Sequence, residues 1–72
     1  MSEYTILKQW QFDDRVVTLL RSNTAMRKWL GKTEFRTGER RELVVEDEKE
    51  AYRRFYTECE AALNAERARW EV

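Results

Sequence analysis

The chain has 72 residues, with 14 basic and 14 acidic side chains, no histidine and one cysteine. An intrachain disulfide is therefore excluded, a thiol–imidazole metal site nearly so, and no imidazole is available as a general base. Zero net charge removes any global field that would draw in nucleic acid or an anionic membrane. There is no proline, no low-complexity stretch and no repeat, so a single small domain over residues 1–72 is expected. A chain this short buries only about 60% of its unfolded surface. Its stability margin must come from its three Trp, three Tyr and three Phe or from self-association. No apolar run is long enough to span a membrane or to form a signal-peptide core, and a lone thiol without an export signal fits the cytoplasm.

The first segment, "YTILKQWQF", sets Tyr4, Ile6, Trp10 and Phe12 on one parity, which predicts a strand. Leu7 breaks the alternation, so a short helix competes. Asp13 and Asp14 follow. An Asp before an apolar run can accept the free N–H groups of a helix's first turn, and Val16, Val17, Leu19 and Leu20 supply a one-sided face, so a helix is expected over about 14–21. "SNT" interrupts it. Asn23 or Thr24 can cap a second helix whose face carries Ala25, Met26, Trp29 and Leu30, with Arg27 and Lys28 turned away and Gly31 as its stop. Two short helices joined by a tight turn form a helix-turn-helix-like unit.

"TEFRTGERRELVVE" reads as a hairpin with Gly38 at its tip. One register opposes Arg36 with Arg41. Another pairs Phe35 with Leu43 and Arg36 with Glu42. A one-residue slip exchanges the faces, so the side occupied by Arg40 and Arg41 stays open. In the last third, Asp47 and Glu50 have capping-box spacing, and Glu46, Asp47, Glu48 and Glu50 suit the positive end of a helix. That helix is expected to run for ~23 residues, ~35 Å, its last turns overhanging the body. Tyr52, Phe55, Cys59, Ala62 and Leu63 form its apolar stripe, and Ala61, Ala65 and Ala68 a second stripe of small residues. The expected fold is α+β: an N-terminal strand, two short helices, a β-hairpin wing and a long C-terminal helix.

Little in this sequence points to catalysis. Asp13–Asp14 and the Glu46–Glu50 cluster could act as acid/base pairs or hold a hard cation, but both fall where helix caps belong. No Ser or Cys sits in a nucleophile motif. A non-enzymatic protein with no cofactor and no metal is expected. Cys59 reads as a buried thiol and Trp29 as core, whereas Trp70, near the end of a long helix, is a candidate partner anchor. From Arg21 to Arg41 there are seven basic residues against Glu34 and Glu39. In the functional reading, Arg27, Lys28 and Lys32 lie on or just after a groove-entering helix, and Arg36, Arg40 and Arg41 touch phosphates from the hairpin. The plainer reading is a solvated face paired with the acidic start of the long helix, and charge alone favours it.

The order of elements shifts that balance. "VVTLLRSNTAMRKWLGKTEF" followed by "RTGERRELVVEDEKEAY" resembles the winged helix-turn-helix of excisionase-type phage and mobile-element proteins over about residues 14–52. The matching parts are Leu19–Leu20, Ser22, Arg27–Lys28–Trp29, Gly31, Gly38–Arg40–Arg41 and Asp47. The turn is about one residue short of that pattern, the usual proline after the wing's entry is missing, an extra N-terminal strand is present, and the last helix is longer. The resemblance implies that Thr24, Arg27 and Lys28 face the major groove of duplex DNA, and that Arg40 and Arg41 face the minor groove or backbone. The first expectation is thus a small cytoplasmic DNA-binding regulator of phage or mobile-element type, dimeric if the long helix pairs. The alternative is a protein-interaction module, such as a phage-encoded inhibitor of a host complex. It would use the C-terminal helix through Ala61, Ala65, Ala68 and Trp70 toward a protein partner or a second copy.

Overall fold

The structure, a computed structural model, describes residues 3–24 and 27–71. Four strands, β1 (Tyr4–Gln11), β2 (Arg15–Ser22), β3 (Trp29–Phe35) and β4 (Arg40–Val45), precede one helix, α1 (Glu48–Trp70). The strands form an antiparallel meander in the order β1-β2-β3-β4. The helix returns across one face of that sheet. The opposite face is uncovered.

The expected helix over 14–21 is β2, and the second expected helix gives way to the β2–β3 connection and β3. No helix-turn-helix is present among the described residues. Ala25 and Met26, part of that second helix's face, lie outside the described residues. The physical reason is that β2 is an inner strand. Val17 and Leu19 point into the core, and Val16 and Leu20 are half-buried on the other side. An inner strand apolar on both sides gives a near-continuous run rather than an alternation. The run Val16-Val17-Thr18 is also β-branched, which favours pleated over helical backbone. Gly31, expected to stop a helix, lies within β3 opposite Leu19 and Leu43.

The expected N-terminal strand is present, and Leu7 breaks its alternation because the β1–β2 register shifts between Ile6 and Lys8. A bulge there sends Ile6 to the open face and Lys8 and Trp10 to the covered one. The hairpin is also present, in neither expected register. Phe35 and Glu39 close it, with the Phe35 N–H donating to the Glu39 carbonyl at 2.8 Å. The loop is Arg36–Thr37–Gly38, with Gly38 last at φ 100°, the left-handed position such loops reserve for glycine. This opposes Lys32 with Glu42 and Glu34 with Arg40, so unlike charges face each other across the ladder.

The Asp47 carboxylate caps α1 by accepting the Glu50 N–H at 3.0 Å. Val17, Leu19 and Trp29 from the sheet meet Ala51, Phe55 and Cys59 from the helix, with Leu7, Phe12, Val45 and Tyr52 packed around them. Each large apolar side chain removed from water in this layer contributes roughly 1.5–3 kcal/mol. The last turns of α1 do not overhang. The Asp13 N–H donates to Glu66 Oε1 at 2.7 Å, and Arg69 reaches Asp14 at 3.2 Å. The β1–β2 turn therefore clamps the helix's C-terminal end.

A candidate partner-binding edge and groove

The residues expected to contact DNA are not gathered onto one surface. Thr24 and Arg27 are exposed and Lys28 is half-buried in the β2–β3 connection. That connection lies at the opposite end of the sheet from the β3–β4 turn, where Arg36 is exposed. Lys32 lies on the open face, paired with Glu34 at 2.9 Å, and Arg40 lies opposite Glu34 on that face. Arg41 is on the covered face, its guanidinium 4.9 Å from the centroid of the Phe35 ring. Arg15 stacks on the same ring at 4.7 Å. Of the residues expected to bind a partner through the helix, Ala61, Ala65 and Ala68 share one face of α1 at i, i+4 and i+7, and Trp70 lies away from it. Ala61 and Ala68 are exposed and Ala65 is half-buried. Trp70 is 76% exposed, its indole N–H directed at Asp13 at 3.4 Å.

Asp13 and Asp14, expected at a helix start, lie instead in the β1–β2 turn, where their carboxylates meet Arg15 and Arg69. Hydrogen bonding from Arg15, reinforced by Arg69, holds the Asp14 carboxyl at about 2, below the ordinary carboxylate range. Glu50 accepts from both Arg53 and Arg54. Among the described residues no group of three or more His, Cys, Asp or Glu is placed to hold a metal. Burial pushes the Cys59 thiol up, helped by the Glu58 charge, which leaves it an inert core group.

One edge of the sheet has binding character. The Phe35–Glu39 pair is hydrogen-bonded, and an antiparallel ladder alternates bonded and non-bonded pairs. The β4 residues bonded to β3 are therefore Arg41, Leu43 and Val45. The N–H and C=O groups of Arg40, Glu42 and Val44 point away from the sheet. The β3–β4 register runs without a shift from Glu34–Arg40 to Trp29–Val45, so this edge has no bulge. The β1 edge carries one at Leu7, a device that blunts strand-to-strand pairing.

Behind the β4 edge, between the covered face and α1, runs a groove of about 450 Å³. Its floor is Gly31, Leu43 and Val45 from the sheet with Ala51 and Phe55 from the helix. The glycine keeps it open, since a Cβ at Gly31 would meet only the Leu43 carbonyl oxygen, at 3.8 Å. Leu43 is 46% exposed into this space. Arg41, Arg53, Arg54, Glu50 and Glu58 rim it. Arg53 and Arg54 share Glu50, whereas Arg41 has no carboxylate within salt-bridge range among the described residues.

Sequence reasoning did not find this site. Two signals for it existed: a glycine inside a strand pattern, which marks open space or close backbone approach, and the apolar run Leu43-Val44-Val45 at the end of the hairpin. The molecule is a four-stranded antiparallel meander covered on one face by a single helix. Comparison with known protein families, with curated proteins and with solved structures returns no match. No helix among the described residues is long and apolar enough to cross a membrane.

Proposed function

We propose that the chain is a non-enzymatic protein-interaction module, working in the cytoplasm, whose binding surface is the β4 edge and the groove behind it. The observation that carries this reading is the unbulged outer edge of β4, with Arg40, Glu42 and Val44 offering backbone donors and acceptors beside an apolar groove. An unpaired edge next to a hydrophobic groove is the arrangement with which sheet-augmenting domains capture a partner strand. The test is a selection from an unbiased displayed random-peptide library on the folded protein, followed by counter-screening on Glu42→Pro. Proline at 42 removes an outward N–H and leaves the bonds to β3 intact, so the variant keeps its fold, as circular dichroism will verify. The expected result is enriched peptides that bind the parent chain and lose binding to Glu42→Pro. Enriched peptides indifferent to that substitution, or no enrichment, would contradict the proposal.

A second reading has one observation in its favour. Arg36, Arg40 and Arg41 all lie toward the turn end of the β3–β4 hairpin, Arg40 and Arg41 on opposite faces, and none has a carboxylate within salt-bridge range among the described residues. A phosphate-contacting hairpin using about three arginines would bind duplex DNA with a log–log salt slope near −2.7, at roughly −0.9 per contact. No duplex binding at low salt removes this reading.

A further inference from the structure

We infer that the β4 edge and its groove take an extended peptide segment as a fifth, antiparallel strand, with two apolar side chains at alternate positions and an acidic one two positions further on. The inference rests on the interaction-module reading and specifies the ligand.

The backbone fixes the occupant's conformation. Only an extended chain can satisfy the outward groups of Arg40, Glu42 and Val44 together, because they recur at every second residue along an unshifted strand. Each of the three existing strand pairings is antiparallel, and antiparallel pairing is slightly the more stable per residue. That orientation is therefore assigned to the added strand.

The side chains fix the chemistry. Residues on an added strand alternate between the open and covered faces. Those on the covered face would continue the cross-strand rows that end at Val45, Leu43 and Arg41. The first row runs Arg21–Trp29–Val45, the second Leu19–Gly31–Leu43 and the third Val17–Thr33–Arg41. Beside Val45 and Leu43 the groove is apolar, floored by Ala51 and Phe55 and widened by the missing side chain of Gly31. Beside Arg41 the complement is anionic. Its guanidinium is held over the Phe35 ring, which fixes its position and leaves its N–H donors without a carboxylate among the described residues. An antiparallel ligand meets these rows in the order Val45, Leu43, Arg41. Its pattern from N- to C-terminus is then apolar, any, apolar, any, acidic. Residues between these positions lie on the open face beside Val44, Glu42 and Arg40, and are free to vary.

The test is fluorescence anisotropy with short labelled synthetic peptides. One carries the pattern, one carries it in reverse order, one has Lys in place of the acid, and one has Ser in place of both apolar residues. They are titrated into the parent chain, Arg41→Glu and Glu42→Pro. The pattern peptide is expected to bind the parent chain about threefold to fivefold more tightly than the Lys peptide does, the range of an exposed ion pair. The Ser peptide is expected to lose tenfold or more, since its side chains beside Val45 and Leu43 have no apolar surface to take out of water. On Arg41→Glu the preference reverses and the Lys peptide becomes the tighter ligand. On Glu42→Pro all binding is lost while the fold is kept. If the pattern peptide does not bind, or if acid and Lys peptides bind alike, while library-selected peptides still require the β4 edge, this inference is overturned and the module reading stands. Equal binding of the pattern peptide to Glu42→Pro and to the parent chain overturns both.

Discussion

Replacing Leu19 and Leu20 by alanine, one at a time, separates a strand from a helix at this point in the chain. In the sheet the two side chains point to opposite faces. Leu19 is fully buried beneath α1, and Leu20 is half-buried on the open face. Leu19→Ala removes the equivalent of about three methylenes, ~2.4 kcal/mol of transfer free energy at ~0.8 each. The cavity adds roughly 1 kcal/mol, because the neighbour across the ladder is Gly31 and has no side chain with which to fill it. The expected loss is ~3–4 kcal/mol. Total stability for a chain this size is on the order of 4–11 kcal/mol. Leu20→Ala gives up only part of the transfer term and leaves no enclosed cavity, so its expected loss is ~1 kcal/mol. Urea unfolding followed by tryptophan fluorescence reads both. With a slope of about 1 kcal/mol/M for a small domain, the Leu19→Ala midpoint falls by ~3 M and the Leu20→Ala midpoint by ~1 M. Equal losses at the two positions would refute the strand, since a one-sided helix carries both residues on the same buried face.

Three further outcomes follow from the geometry. Asp14 has its carboxyl lowered from 3.8 to about 2 in the folded chain, chiefly by Arg15. Its stabilising contribution is therefore complete above the unfolded value and lost as pH falls through the folded one. Thermal midpoints measured across acid pH should show this decline in the parent chain and a shallower one in Asp14→Asn. Gly38→Ala forces a Cβ into the left-handed region at φ 100°; a destabilisation of about 1 kcal/mol by urea unfolding is expected. Cys59, buried with its thiol pushed up, should react with a thiol reagent far more slowly in the folded chain than in denaturant.

The parts of this fold that could be read in the sequence are those fixed locally. Asp47 and Glu50 announce the start of α1 because a capping box needs only its own backbone, and Phe55, Cys59 and Ala62 from the expected stripe are buried as the helical period requires. Leu63, also on that stripe, is 49% exposed. The middle of the chain could not be read this way. Val16, Val17, Leu19 and Leu20 fit one helical face and, equally well, an inner strand apolar on both sides. Only the neighbouring strands decide between them. Trp29 is buried as expected, at 7% exposure, although it projects from a strand. The hairpin register depended on which loop position needed a positive φ, and placing Gly38 first rather than last displaced both trial alignments. The groove was hidden for a different reason: it exists only once β4 and α1 are brought together.

Residue-resolved amide hydrogen exchange of the chain, with and without a bound peptide, tests whether the outer side of β4 is the binding surface. Arg40, Glu42 and Val44 should exchange fast in the free chain and become protected on binding, while Arg41, Leu43 and Val45 should be protected in both states. Saturating peptide that leaves Arg40, Glu42 and Val44 exchanging as before, with protection gained elsewhere, would contradict it.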